Sequence, residues 1–209
     1  MAKGADVVRG GMAMMVRLAL LMAVAMPAMP AAAQFSDSYN FLKAVRDKDV
    51  LKAKGFLDKP GSVIVNTKDQ DNGETALHIV TKRRDAPWMG FLLQNGADPN
   101  ARDRDGNTPV LLAASTSFAD GVRVMIAGKA TLDAANNRGE TALIKAVLVR
   151  DAPSARLLLE YGADPDRTDN LTGQSARDYA ARDTRAGQLA KLLADAPKKG
   201  AAKSTGPSL

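Results

Sequence analysis

The 209-residue chain has no cysteine and a single histidine, His78. Without thiols there is no disulfide, no thiolate metal site, no cysteine nucleophile and no lipidated N-terminal cysteine. One imidazole excludes a multi-histidine metal site and argues against a Ser-His-Asp triad. Aromatic residues are scarce as well, at 4%, while alanine and leucine are abundant. That balance favours helices over a β-sandwich or barrel. The 45% of apolar residues is enough to core one domain or two small ones.

A balanced charge is also lacking, since the net charge is +6. Its location removes the nucleic-acid reading. Residues 1–33 hold Lys3, Arg9 and Arg17 against Asp6, and the stretch from Lys198 holds three lysines and no acid. The body between them is close to neutral and lacks the basic footprint that phosphate binding needs.

The one long apolar run is LALLMAVAM at 18–26, preceded by Arg17 and followed by Pro27, Pro30 and Ala31-Ala32-Ala33. A positive flank, a short apolar stretch and an Ala-x-Ala site predict a signal peptide over 1–33, cleaved between Ala33 and Gln34. The alternative is a retained anchor over residues 18–36, although the two prolines suit a peptidase site better than a helix in lipid. Seven of the nine methionines precede residue 30, so translation could start at Met12 or Met14 instead of Met1. A secreted chain without cysteine must be stable without cross-links.

Beyond residue 36 the dominant signal is self-similarity. The strings GETALHIV (73–80), GNTPVLLA (106–113), GETALIKA (139–146) and GQSARDYA (173–180) set Gly73, Gly106, Gly139 and Gly173 at spacings of 33, 33 and 34. NGADPN (95–100) and YGADPD (161–166) lie two periods apart, as do the two RDAP strings at 84–87 and 150–153. Thr75, Thr108, Thr141 and Ser175 stand where a short helix should start, with a hydroxyl able to accept backbone N–H groups. Pro109 suits a first helical position. The recurrent glycine suits a turn needing positive φ. Ala76, Leu77 and Val80, or Ala142, Leu143 and Ala146, give a first helix one apolar face. Phe91-Leu92-Leu93, Val124-Met125-Ile126 and Leu157-Leu158-Leu159 predict a second, more fully buried helix. Asp85-Ala86-Pro87 and Asp151-Ala152-Pro153 punctuate the turn between the two, and Gly96 and Gly162 end the second.

These strings resemble the ankyrin repeat, with its G-x-T-P-L-H-x-A opening, later Leu-Leu pair and G-A-D-x-N close. The best match is 71–103, through Gly73, Thr75, Leu77, His78, Leu92, Leu93, Gly96, Ala97, Asp98 and Asn100. The unit 104–136 puts Lys129 where the second glycine belongs, and the truncated unit 171–196 has Arg177 in a leucine slot. The resemblance implies an all-α solenoid of stacked helix-turn-helix units with hairpin-like connecting loops. Its repeats fall at 37–70, 71–103, 104–136, 137–169 and 171–196, and its polar end units carry Lys52, Lys54 and Lys59 or Arg177, Arg182, Arg185 and Lys191. Residues 197–209 have no apolar period and are expected to be disordered.

The resemblance further implies a non-enzymatic protein-binding module without cofactor or metal, with another protein as its partner and no nucleic acid. In the bacterial periplasm, the expected destination, it would grip that partner on a concave face of loop tips and first helices. Here that face is assigned to Lys82, Arg83, Arg102, Arg104, Leu112, Arg138, Lys145 and Leu148, with Arg167 at a further tip, mixed with Asp103, Asp105 and Asn136. His78 falls in a slot whose implied role is to tie neighbouring turns together. Asp69-x-Asp71 and Asp103-x-Asp105-Gly106 resemble pieces of a calcium loop, but the second would place Ala101 and Leu112 at ligand positions. They read better as solvated tips. Trp88 reads as packing between repeats before it reads as a binding anchor. A carboxylate-based hydrolase in the groove is the rival from another class, and the repeat spacing scatters its acids.

Overall fold

The computed structural model describes residues 31–197, with side chains from Asp37 onward. Nearly all of the expected signal peptide and of the expected tail lies outside the described residues. The chain divides into units 1–34 and 35–209, and the repeats belong to the second. Five helix pairs follow one another: α1 (Ala31–Arg46) and α2 (Val50–Leu57), α3 (Ala76–Lys82) and α4 (Ala86–Gln94), α5 (Pro109–Ser115) and α6 (Ala119–Ala127), α7 (Ala142–Leu148) and α8 (Ala152–Glu160), α9 (Ala176–Arg182) and α10 (Gly187–Ala194). The irregular stretch after α2 holds a single 3-10 turn at Ile64–Asn66, and the described residues contain no strand. None of the described helices is long and apolar enough to cross a membrane.

Local chemistry sets the helix starts. Thr75, Thr108, Thr141 and Ser175 are the N-caps of α3, α5, α7 and α9, and Pro109 opens α5. Asp85 and Asp151 cap α4 and α8 by accepting from the N–H groups of Trp88 and Ser154, each followed by a proline at the second helical position. Gly96 (φ 84°) and Gly162 (φ 89°) follow the last turns of those helices in the left-handed region. Lys129 holds the same conformation in the intervening repeat, with φ 59° and a Cβ that disfavours it.

The first helices α3, α5, α7 and α9 stack in order, and the second helices α4, α6, α8 and α10 form a layer behind them. Burial corrects the sequence reading. In α5 every residue from Pro109 to Ala114 is buried, whereas α6 buries only Gly121, Val122 and Met125. A first helix is covered by the helices of the repeats before and after it and by its own second helix. A second helix has one side in water, as exposed Pro153, Arg156 and Glu160 on α8 illustrate. Of each apolar triplet only the central residue (Leu92, Met125 or Leu158) is fully buried.

The tips interlock along the stack. The N–H groups of Arg104, Asn137 and Asn170 donate to the carbonyls of Asn72, Asp105 and Arg138, each on the preceding tip. This contact, as much as positive φ, requires glycine. A Cβ on Gly139 (φ 78°) would lie 2.6 Å from the backbone nitrogen of Asn170. Gly173 shares the conformation but has nothing within 4 Å of that position, since no further tip packs on it among the described residues. Arg177, the polar residue in a leucine slot, pairs with Asp166 and donates to the carbonyls of Leu193 and Ala196. It thereby places a cation at the negative C-terminal end of α10.

Candidate protein-binding face

Each tip is closed by an Asx turn at one register position. Oδ1 of Asp69 accepts from the N–H groups of Asp71 and Asn72, and Oδ1 of Asp103 from Asp105 and Asn107. Asn136 serves Arg138 and Glu140 in the same way, and Asp169 serves Leu171 and Thr172. The acidic fragments that resemble calcium loops are therefore turn-closing groups. A hydrogen bond from Arg46, supported by the Asp71 N–H, lowers the Asp69 carboxyl below its ordinary range. Burial pushes Asp169 upward, but donation from the Thr172 N–H and from the Tyr179 and Thr172 hydroxyls outweighs it and brings the carboxyl down to about 2.

His78 connects two tips. It is fully buried, its Nδ1 accepts from the Thr75 N–H at 3.2 Å, and its Nε2 donates to the Asn107 carbonyl of the next repeat at 3.0 Å. Burial depresses its pKa, and this bonding suits the neutral ring. Trp88 packs edge-on against Phe91, with the Arg83 guanidinium over its ring.

The assigned binding residues divide into three groups. Exposed cations lie along the tips: Arg102 donates to the carbonyls of Gly106 and Ala135, Arg104 to that of Gln70, and Arg167 is exposed on a later tip. Because the acceptors of Arg102 and Arg104 are neutral, their charges stay available. A second group is neutralised by two glutamates that the sequence reading overlooks. Lys82 pairs with buried Glu74, while Arg138 and Lys145 pair with Glu140 at 3.0 and 3.3 Å. Burial pushes Glu140 upward, but Asn136, Arg138 and Lys145 together hold it below its ordinary value. Their signal in the sequence was the recurrent Gly-Glu-Thr at 73–75 and 139–141.

The third group departs from the assignment. Leu112, expected on the open face, is only 9% exposed. Arg83 caps the end of α3, donating to the Val45 carbonyl of the first repeat and pairing with Asp85 at 3.0 Å, so it holds repeats together. Leu148 is exposed as expected. The sequence reading also misses a ladder on the closing loops. Oδ1 atoms of Asn66, Asn100 and Asp133 accept from the N–H groups of Asp98, Thr131 and Asp164, one repeat further on.

In first-helix register, Ile79, Leu112, Lys145 and Tyr179 share one slot, and Lys82, Ser115, Leu148 and Arg182 share another. Caps and core repeat along the stack while these slots vary in size and charge. The family model for ankyrin repeats in three copies matches residues 32–133 and 85–169. Neurogenic locus notch homolog protein 1 of Danio rerio is 37% identical over 58% of this chain, a match covering 5% of that protein. Its Xenopus laevis counterpart is 35% identical over 66% of the chain and 6% of that protein, and the Homo sapiens 2-5A-dependent ribonuclease is 34% identical over 39% and 11%. The chain thus spans a small fraction of the length of these relatives. With the repeat register, the two helical layers and the matched span in agreement, the chain belongs to the ankyrin-repeat family.

Proposed function

We propose that the protein is a non-enzymatic interaction module that binds another protein on the face made by its tips and first helices. A protein-binding role is the general use of ankyrin repeats; the assignment to this face rests on one observation. The slot 82/115/148/182 changes character from repeat to repeat, from lysine to serine to leucine to arginine, inside a frame of constant caps and buried alanines and leucines. Side chains free of packing constraints are where a recognition surface can be written. We further propose that residues 1–33 direct export to the bacterial periplasm and are removed before Gln34. The test has two arms. Cross-linking in intact cells with recovery of the chain should yield a defined protein adduct that is lost when Arg104 and Lys145 are replaced by alanine. N-terminal sequencing of the recovered chain should begin at Gln34. An adduct indifferent to both substitutions overturns the face, and recovery of residues 18–30 overturns cleavage in favour of a membrane-tethered scaffold.

A further inference from the structure

The C-terminal ends of the first helices form a second edge of the stack, distinct from the tips. A seven-residue helix is about 10 Å long, which separates this edge from the tips at the N-terminal ends. Here the first four repeats turn into their second helices through one residue with positive φ, namely Lys48 (61°), Arg84 (59°), Ser117 (53°) and Arg150 (56°). The turns are tied in series. Arg84 donates to the carbonyls of Thr116 and Ser117, and Arg150 pairs at 2.6 Å with Asp183 of the last repeat. Asp183 also lies 4.0 Å from Arg185, and Arg182 precedes it in the chain. This ledge carries Arg83, Arg84, Arg150, Arg182 and Arg185 against Asp85, Asp151 and Asp183, a net-positive edge.

Two large aliphatic side chains stand in its middle. Leu148 is 43% exposed and Val149 41%. The packing of the stack does not call for them, because the same two register positions are Lys82 and Arg83 in the second repeat, Ser115 and Thr116 in the third, and Arg182 and Asp183 in the fifth. Their presence even leaves a deficit. In the second repeat Arg83 satisfies Oδ2 of Asp85, whereas in the fourth the corresponding Oδ2 of Asp151 is buried with no hydrogen-bond partner. An exposed apolar pair that replaces a helpful arginine in an otherwise polar slot points to selection by a ligand.

We propose that Leu148 and Val149 anchor an acidic segment of a partner protein, with one apolar side chain on the pair and flanking carboxylates on Arg84, Arg150, Arg182 and Arg185. This inference rests on the protein-binding reading above and adds a partner chemistry to it. Aliphatic anchors offer no stacking platform for bases, so a protein fits this ledge better than a nucleic acid. A net-positive rim around an apolar centre, with Arg84 donating to neutral carbonyls, selects carboxylates beside a hydrophobic residue.

The probe is a displayed library of random twelve-residue peptides, selected on the full chain. The test variant is Leu148→Lys with Val149→Arg, which installs the second repeat's own residues between the same GETAL and RDAP strings. Glu140 stands where Glu74 pairs with Lys82, and Asp151 where Asp85 pairs with Arg83. The variant should melt at or above the wild-type temperature, which excludes unfolding as the cause of any loss. Selected peptides should pair Leu, Ile, Met or Phe with adjacent Asp or Glu, bind at least tenfold more weakly to the variant, and weaken with added salt. Peptides that bind the variant equally but are lost on Arg104→Ala with Lys145→Ala overturn the ledge and leave the proposed face standing. Failure to enrich any peptide overturns the ledge. Binding of a twenty-residue oligothymidylate that survives Leu148→Lys with Val149→Arg assigns the arginines to nucleic acid and overturns it too.

Discussion

Leu143→Ala measures how tightly one repeat is bound to the next. Leu143 is fully buried on α7, which packs against α5, α8 and α9. Truncation removes three carbons, worth about 2.4 kcal/mol at roughly 0.8 kcal/mol per methylene. The surrounding first helices are rich in buried alanine, including Ala113, Ala114, Ala146 and Ala176, whose methyl groups cannot swing into the space. A retained cavity of about 70 Å³ then adds roughly 1.7 kcal/mol. The expected loss is about 4 kcal/mol, read as a fall in the urea midpoint followed by circular dichroism. In a stack stabilised by nearest-neighbour interfaces the damage should spread, so amide exchange should accelerate in α5 and α9 as well as in α7. A loss under about 1 kcal/mol, or faster exchange confined to α7, refutes the packing argument.

Three other changes probe single features. His78→Leu, the residue type of the third repeat's equivalent position, should remove a pH dependence: with the folded pKa depressed, the wild type is fully stabilised above about pH 6.5 and loses that contribution as pH falls, because the unfolded chain takes the proton first. Urea unfolding at pH 8 and pH 5 checks this; the variant should be weaker at pH 8 by about 1–3 kcal/mol for the lost tie to Asn107, and a wild type equally stable at both pH values contradicts the reasoning. Lys129→Gly should raise stability by about 1 kcal/mol by relieving a left-handed non-glycine residue, and a decrease in melting temperature rejects that reading. Gly139→Ala should cost well over the roughly 1 kcal/mol expected of Gly173→Ala, because only the former drives a Cβ into the next tip; equal costs in thermal melts refute the tip contact.

The features legible in the sequence were those fixed by local chemistry. A hydroxyl before an apolar run, an aspartate two residues before a proline, and a glycine after a leucine triplet each act within a few residues, so the periodic strings revealed them. What escaped depends on the stack. Neither Glu74 nor Glu140 stands out as a partner until the tip folds back over its own first helix and meets Lys82 or Lys145. Leu112 reads as an outward residue from its helix alone, but in the stack it is only 9% exposed. The greater burial of first helices has the same origin, since composition alone favours the Leu-rich second helices. Arg84, Ser117 and Arg150 carry positive φ without the glycine that usually marks it, so nothing in the residue types announced that turn.

The direction in which the stack faces its partner is the claim on which the functional account depends, and two photoreactive residues decide it. One replaces Arg104 on a tip, the other Arg156 on the exposed side of α8, both surface positions whose replacement leaves the core intact. After irradiation of intact cells, the account predicts a discrete protein adduct from position 104 and none from position 156. An adduct from position 156 alone, or from neither position, contradicts it.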